Sequence, residues 1–251
     1  MSTADAATSL DAAGLDAARS EAARTAADCE ASKDWRGLAV ARRRQGEIAQ
    51  AAGSLDDAEK HLRAALSLYV MLDDGYSAAL VLVSLARIQL AIGDYVAAVD
   101  LSRQAAERVP GDTEALTILA NAEWAAGSPA DAEVTFSQVL RWDADAAPAL
   151  AGRGEVRADR GSYALALDDL DRALKLGLER AAEADARSAR ALALAGLGRS
   201  AKARTELAES LRLTPGSARV LRRARRIEAL TASSAGSTVS VDVTSPEEAR
   251  S

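Results

Sequence analysis

Aromatic residues are scarce in this chain. Of its 251 residues only 3% are aromatic although 49% are hydrophobic, so the apolar side chains are mainly those of alanine, leucine and valine. The cores of β-sandwiches and barrels favour β-branched and aromatic side chains, whereas alanine and leucine are among the strongest helix formers. The composition therefore favours thin layers of closely packed helices over a sheet-based fold.

Cysteine and histidine occur once each, as Cys29 and His61. A single cysteine excludes an internal disulfide, and one cysteine with one histidine is too few ligands for a zinc site. The chain also lacks a Gly-x-Ser-x-Gly nucleophile element, a phosphate-binding Gly-x-x-x-x-Gly-Lys-Ser/Thr loop and a Gly-x-Gly-x-x-Gly fingerprint. We therefore predict that the protein is not an enzyme and uses no cofactor or metal.

The charge balance is acidic, with a net charge of −6 and a pI of about 5.1. Such a chain is repelled by nucleic acid and by anionic membrane surfaces. No continuous apolar run reaches the roughly 18 residues of a membrane span, and the N-terminus lacks the basic and apolar regions of a signal peptide. We expect a cytoplasmic protein, and the abundance of alanine, arginine and aspartate is typical of a bacterium with a GC-rich genome.

A short pattern recurs along the chain. A glycine that ends one helix is followed five residues later by an alanine, which lets the next helix cross closely. The glycines are spaced by 40, 34, 34 and 37 residues, and the five glycine–alanine pairs are Gly53 and Ala58, Gly93 and Ala98, Gly127 and Ala132, Gly161 and Ala166, and Gly198 and Ala203.

This register resembles the tetratricopeptide repeat, a 34-residue pair of antiparallel helices. The family's glycine at position eight is present as Gly46 and Gly154, and its aromatic residue at position 17 as Tyr95 and Tyr163, whereas its tryptophan and its first tyrosine are missing. The resemblance covers residues 39–215. It implies an all-α, right-handed superhelical solenoid of about five helix-turn-helix repeats with a C-terminal capping helix.

Three segments are predicted. Residues 1–35 form an N-terminal segment with an alanine-rich helix, residues 36–232 the solenoid, and residues 233–251 a disordered tail rich in serine and threonine. Within the solenoid, residues 217–231 are predicted to be the capping helix, since a terminal repeat needs a polar outer face. We expect that polar face to hold the five arginines Arg219, Arg222, Arg223, Arg225 and Arg226.

In the tetratricopeptide family the first helices of the repeats line a concave groove that binds a partner. We predict that the partner lies across the second and third repeats with Trp124 as its anchor, since tryptophan and arginine are enriched at binding hot spots. The resemblance does not extend to the family's clamp for the C-terminal carboxylate of chaperones, whose lysine and asparagine pattern is absent. Carried over by position, the groove residues are Arg43, Glu47, Leu80, Val83, Arg87, Leu90, Thr117, Asn121, Trp124 and Glu155.

Three functions remain open from the sequence. The first is an adaptor, scaffold or assembly factor that binds a protein partner, as a peptide or a helix, in the groove. The second is a structural subunit of a larger complex, which includes association with further copies of the chain. The third, disfavoured by the acidic pI, is a regulator that binds nucleic acid through its arginine-rich helix.

Overall fold

A computed structural model describes residues 12–236, and the side chains of residues 14–232. The described residues are all helical and contain no strand. The twelve helices of this part are α1 (Ala12–Ser32), α2 (Trp35–Ala51), α3 (Leu55–Met71), α4 (Gly75–Ile92), α5 (Tyr95–Arg108), α6 (Thr113–Ala125), α7 (Pro129–Trp142), α8 (Ala147–Asp159), α9 (Tyr163–Leu176), α10 (Arg180–Gly196), α11 (Ser200–Leu213) and α12 (Ala218–Gly236).

The five sequence repeats correspond to five helix pairs, which begin with α2 and α3 and end with α10 and α11. Every repeat glycine has a positive φ, between 74° and 88°, in the turn that joins the two helices of its pair. Aspartate caps begin several of the helices. In α4, for example, the Asp74 carboxylate accepts a hydrogen bond from the backbone N–H of Ser77 at 3.0 Å. The all-α fold class with five helix pairs is confirmed.

Small residues let the helices of a pair cross closely. The five repeat alanines are all fully buried. At two crossings the contact is too close even for a methyl group: a Cβ added to Gly46 would lie 2.6 Å from Cγ of Leu62, and one added to Gly154 would lie 2.7 Å from Cγ of Leu170. The first repeat and the fourth repeat therefore require glycine where the other three have alanine.

The contacts divide the chain into two compact units, Met1–Gln138 and Val139–Ser251. The core of the first unit is centred on α4, where Leu82, Leu85 and Ile88 are fully or almost fully buried. Within the described residues, α4 is the one helix long and apolar enough to cross a membrane by length and composition. Half of that stretch is buried inside the protein.

The second unit has its own core, in which Leu150, Leu170 and Leu192 are fully buried and Ile227 of α12 packs against them. The helix α12 extends to Gly236, beyond the predicted end at residue 231. The predicted tail is helical as far as it is described, and residues 237–251 lie outside the described part. The predicted boundary between residues 35 and 36 falls at the start of α2 and stays a prediction.

Candidate partner-binding surfaces

Nine of the ten predicted groove residues lie in the first unit. They are carried by the first helices of its repeats: Arg43 and Glu47 by α2, Leu80, Val83, Arg87 and Leu90 by α4, and Thr117, Asn121 and Trp124 by α6. The helices α4 and α6 pack against each other, so the structure brings their groove residues to neighbouring positions. Val83 is buried and belongs to the core, Arg87 is exposed, and the other seven are partly buried.

An ion pair joins the two central first helices. Arg87 of α4 donates to the carboxylate of Glu114 on α6 at 2.5 Å, and about half of each side chain is exposed. An exposed pair of this kind contributes little to stability. A partner carboxylate that approaches Arg87 therefore competes with Glu114, and a partner cation has Glu114 as an acceptor.

Two other groove positions are partly engaged within the chain. The hydroxyl of Thr117 donates to the backbone carbonyl of Thr113 at 2.6 Å, so its hydrogen is already used inside α6. Arg43 lies 3.7 Å from the carboxylate of Glu47 on the same helix. Trp124 stands in the last turn of α6 and is partly buried, which leaves part of its ring accessible.

A cavity of about 440 Å³, not predicted from the sequence, lies between α1 and α2. One wall is a stripe of small residues on α1 that includes Ala18, Ala22 and Cys29, and the opposite wall includes Val40 and Arg44 of α2. The spacing of four residues between Ala18 and Ala22 is the signal that could have pointed to this face of α1.

Glu155, the tenth predicted groove residue, lies in the second unit and is buried beneath α12. Its carboxylate accepts from Arg223 at 3.1 Å and from Arg219 at 3.4 Å, and its side chain is 6% exposed. The prediction that Glu155 lines an open groove is therefore wrong for the chain in this conformation, because the chain's own C-terminal helix covers it.

Arg223 was expected on the polar face of the capping helix, but its side chain is only 2% exposed. Besides Glu155, it donates to the carboxylate of Asp159 at 3.0 Å, to the backbone carbonyl of Asp185 at 3.0 Å and to the hydroxyl of Ser188 at 3.1 Å. Burial alone lowers the pKa of Arg223, but the two carboxylates outweigh it and raise the pKa, so the guanidinium stays charged.

A sequence signal for this contact was present. Val220 and Ile227 form the buried stripe of α12, and Arg223 stands three residues after the first and four before the second. That spacing places all three side chains on one helix face. An arginine inside an apolar stripe needs buried acceptors, and Glu155 and Asp159 are spaced four residues apart on α8 to supply them.

Asp169 forms a second set of buried ion pairs, which was not predicted from the sequence. Its side chain is 5% exposed and accepts from Arg153 at 2.7 Å and from Arg157 at 2.8 Å. Both arginines belong to α8 and Asp169 to α9, so the pair joins the two helices of the fourth repeat. The neighbouring Asp168 is exposed.

The described residues contain no candidate metal site. Between residues 12 and 236, no group of three or more His, Cys, Asp or Glu side chains is arranged to hold a metal ion. Partial burial and the nearby charge of Arg42 lower the pKa of His61, so this histidine is neutral at pH 7. The surfaces described above can bind a macromolecule through apolar contacts, ion pairs and hydrogen bonds.

Comparison with known families identifies the repeat. Two sequence models, both described as tetratricopeptide repeat, match residues 37–111 and residues 89–153. The chain is a tetratricopeptide repeat protein. No curated protein sequence matches it.

Solved tetratricopeptide structures share the fold. PilF of Pseudomonas aeruginosa is 17% identical, with a TM-score of 0.60 over 84% of this chain and 99% of that one. A thermophilic tetratricopeptide protein of Thermus thermophilus, TTC0263, is 24% identical, with a TM-score of 0.55 over 76% and 98%. YrrB, described as having an unusual peptide-binding site, is 16% identical, with a TM-score of 0.53 over 74% and 92%. At these identities the likeness shows the fold alone.

The C-terminal helix does not continue the tetratricopeptide repeat. A sixth first helix would pack broadly against α11, the second helix before it, as α10 packs against α9 and α4 against α3. Instead α12 packs mainly against α10 and only lightly against α11, and its arginines reach Glu155 and Asp159 on α8. It therefore lies on the first helices of the fourth and fifth repeats.

Proposed function

We propose that this chain is a non-catalytic protein-interaction module of the cytoplasm that binds a peptide or helix on the first helices of its first unit. Tetratricopeptide proteins as a family mediate protein–protein interactions, and the described structural neighbours include a peptide-binding member. The observation that carries the proposal is the surface of α4 and α6, which offers Arg87, Asn121 and Trp124 as accessible polar and aromatic groups. Trp and Arg are enriched at binding hot spots.

The apolar part of this surface comes from Leu80 and Leu90, which are partly buried on α4. A bound segment would place an apolar side chain against Leu90 and Trp124, and Asn121 would hydrogen-bond its backbone. Arg87 would exchange Glu114 for an acidic group of the partner. This arrangement of a few polar groups on an apolar floor is typical of surfaces that bind a peptide or an amphipathic helix.

The pairing of the arginines argues against nucleic acid as the partner. Arg219, Arg223 and Arg226 are paired with carboxylates of the same chain. Arg222 and Arg225 are exposed and make no ion pair within the described residues. Two unpaired arginines on a chain of net charge −6 are a weak basis for binding phosphates.

The proposal is tested by comparing proteins captured from an extract of the source cell by four variants and the parent chain. Arg87→Glu and Trp124→Ala change the proposed surface. Arg103→Glu and Trp142→Ala are matched controls on second helices, and both control side chains are largely exposed. Circular dichroism verifies that every variant keeps its helicity.

A specific partner should be lost or weakened by both surface variants and retained by both controls. The expected loss is about 2 kcal/mol or more for each hot spot, which is a factor of about 30 in affinity. Equal capture by all five proteins would contradict the proposal and favour assembly through the second helices or the ends of the chain.

A further inference from the structure

The second unit contains a binding site that is already filled. Its walls are the first helices α8 and α10, which lie side by side. Three acidic side chains, Glu155, Asp159 and Asp185, face the occupant from these helices, and the hydroxyl of Ser188 lies among them. The occupant is α12 of the same chain.

We propose that this acidic surface is a receptor for a basic amphipathic helix of a partner protein, and that α12 is an internal ligand which such a helix displaces. The site lies wholly in the second unit, so the proposal does not depend on the surface proposed for the first unit. The features of α12 that contact the site define the chemistry of the partner.

The contact pattern of α12 is a spaced set of arginines. Arg219 lies 3.3 Å from Asp185, Arg223 lies 3.0 Å from Asp159, and Arg226 lies 3.1 Å from Asp159. These arginines stand at i, i+4 and i+7, which is the spacing of one helix face. A partner helix therefore needs arginines at i, i+4 and i+7, with apolar residues at the positions of Val220 and Ile227, which are fully or almost fully buried.

The balance of interactions makes α12 displaceable. Among the described side chains of α12, the fully or almost fully buried large apolar ones are Val220 and Ile227, with Ala224 and Thr231 beside them and Leu230 partly buried against the same core. The remaining attachment comes from ion pairs, and an ion pair taken from water contributes little net stability because desolvation offsets the attraction. Such pairs determine where α12 binds and which residue types can bind there, but they add little to the free energy of docking. The ion pairs of Arg219 and Arg226 are also partly exposed, so salt screens them.

The connection to the rest of the chain allows release. Residues 214–217 join α11 to α12, and Gly216 has open space where a Cβ would stand. The buried hydroxyl of Thr214 has no hydrogen-bond partner, so the linker leaves one polar group without a hydrogen bond when α12 is docked. Because α12 packs only lightly against α11, its departure leaves the contacts between α10 and α11 in place and uncovers the face of α10.

The probe is a fluorescent peptide with the sequence of residues 217–232, whose binding to the full-length chain is measured by anisotropy. The chain with Arg219→Ala, Arg223→Ala and Arg226→Ala keeps the acidic walls and weakens the internal ligand. It should bind the peptide at least tenfold more tightly than the parent chain does. The matched control is Arg222→Ala with Arg225→Ala, since these arginines point to solvent, and it should bind like the parent.

Specificity is checked with a second peptide in which the three contacting arginines are replaced by glutamine, and it should bind at least tenfold more weakly to the triple variant. Equal binding of the first peptide to the triple variant and the parent would overturn the proposal, as would equal binding of the two peptides. A parent chain that forms dimers abolished by the triple substitution would also overturn it, because α12 would then be exchanged between copies.

If the triple variant fails to fold, hydrogen exchange of the unmodified chain tests whether α12 detaches from α8 and α10. The amides of α12 should exchange faster than those of α10, and raising the salt concentration from about 0.05 M to 0.5 M should widen the difference, since salt screens the exposed pairs. Equal protection of the two helices at both salt concentrations would show that α12 is an integral part of the core and would overturn the proposal.

Discussion

The guanidinium of Arg223 lies 3.1 Å from the carboxylate of Glu155, which precedes it by 68 positions in the chain. Both side chains are almost completely buried. Burial raises the pKa of Glu155, and the charges of Arg223 and Arg219 oppose that rise. Removing Arg223 leaves the buried carboxylate of Glu155 with only the longer contact to Arg219, at 3.4 Å, to offset its desolvation.

Arg223→Ala is expected to lower the free energy of unfolding by about 3 kcal/mol, the cost of breaking a buried pair. Arg222→Ala, on the exposed face of the same helix, should change it by less than about 0.5 kcal/mol. Urea unfolding followed by circular dichroism measures both. Combining Arg223→Met with Glu155→Leu should restore most of the loss, and an additive loss in the double variant would contradict the pairing.

Asp169→Ala should also destabilise the second unit by about 3 kcal/mol, because Arg153 and Arg157 then lose their shared acceptor. The neighbouring Asp168 gives the matched control, since it is exposed. Asp168→Ala should shift the urea midpoint only slightly. Equal effects of the two substitutions would mean that Asp169 is solvated.

Gly154→Ala should cost about 1–3 kcal/mol through overpacking, because the added methyl group meets Cγ of Leu170 at 2.7 Å. The cost should shrink when Leu170→Ala is present in the background, since the obstructing side chain is then gone. Thermal unfolding of the four chains measures this coupling. A cost that is the same in both backgrounds would place the strain elsewhere.

Asp74→Ala should lower stability at pH 7 by about 1 kcal/mol, since it removes the cap of α4. The hydrogen bonds from the backbone N–H and hydroxyl of Ser77 hold the pKa of Asp74 below its usual 3.8. The ionised cap therefore stabilises the fold above about pH 4, and the difference between variant and parent should vanish as the pH falls through the folded pKa.

Asp74→Asn is the control for this titration. Asparagine also caps helices but does not ionise, so its effect on stability should not follow the same pH dependence. Urea unfolding between about pH 2 and pH 7 compares the three proteins. A parent–alanine difference that stays constant down to the lowest pH would contradict the role of the ionised carboxylate.

Much of the fold could be predicted from the sequence because repeated local patterns specify it. The glycines gave the turns, and the alanines that follow them gave the close helix crossings, since both effects depend on the backbone and the nearest helix. All five repeat glycines take the positive φ that this pattern requires.

The burial and pairing of individual charged side chains could not be predicted in this way. Asp168 and Asp169 are adjacent in the chain, yet one is exposed and the other joins two arginines of α8. The difference follows from how α9 is rotated about its axis relative to α8. In the sequence, only the spacing of the neighbouring apolar residues indicates that rotation. Glu155 was assigned to an open groove because family position alone does not report what a distant helix covers.

The sequence by itself determined the number of helices in each repeat, their turns and the small residues at their crossings, because those features depend on local backbone preferences and on contacts between neighbouring helices. Tertiary structure decided where α12 docks and which arginines it buries. That outcome depends on bringing Arg223 together with carboxylates more than 60 residues away, and it is governed by the balance between desolvation and ion pairing in one assembled site.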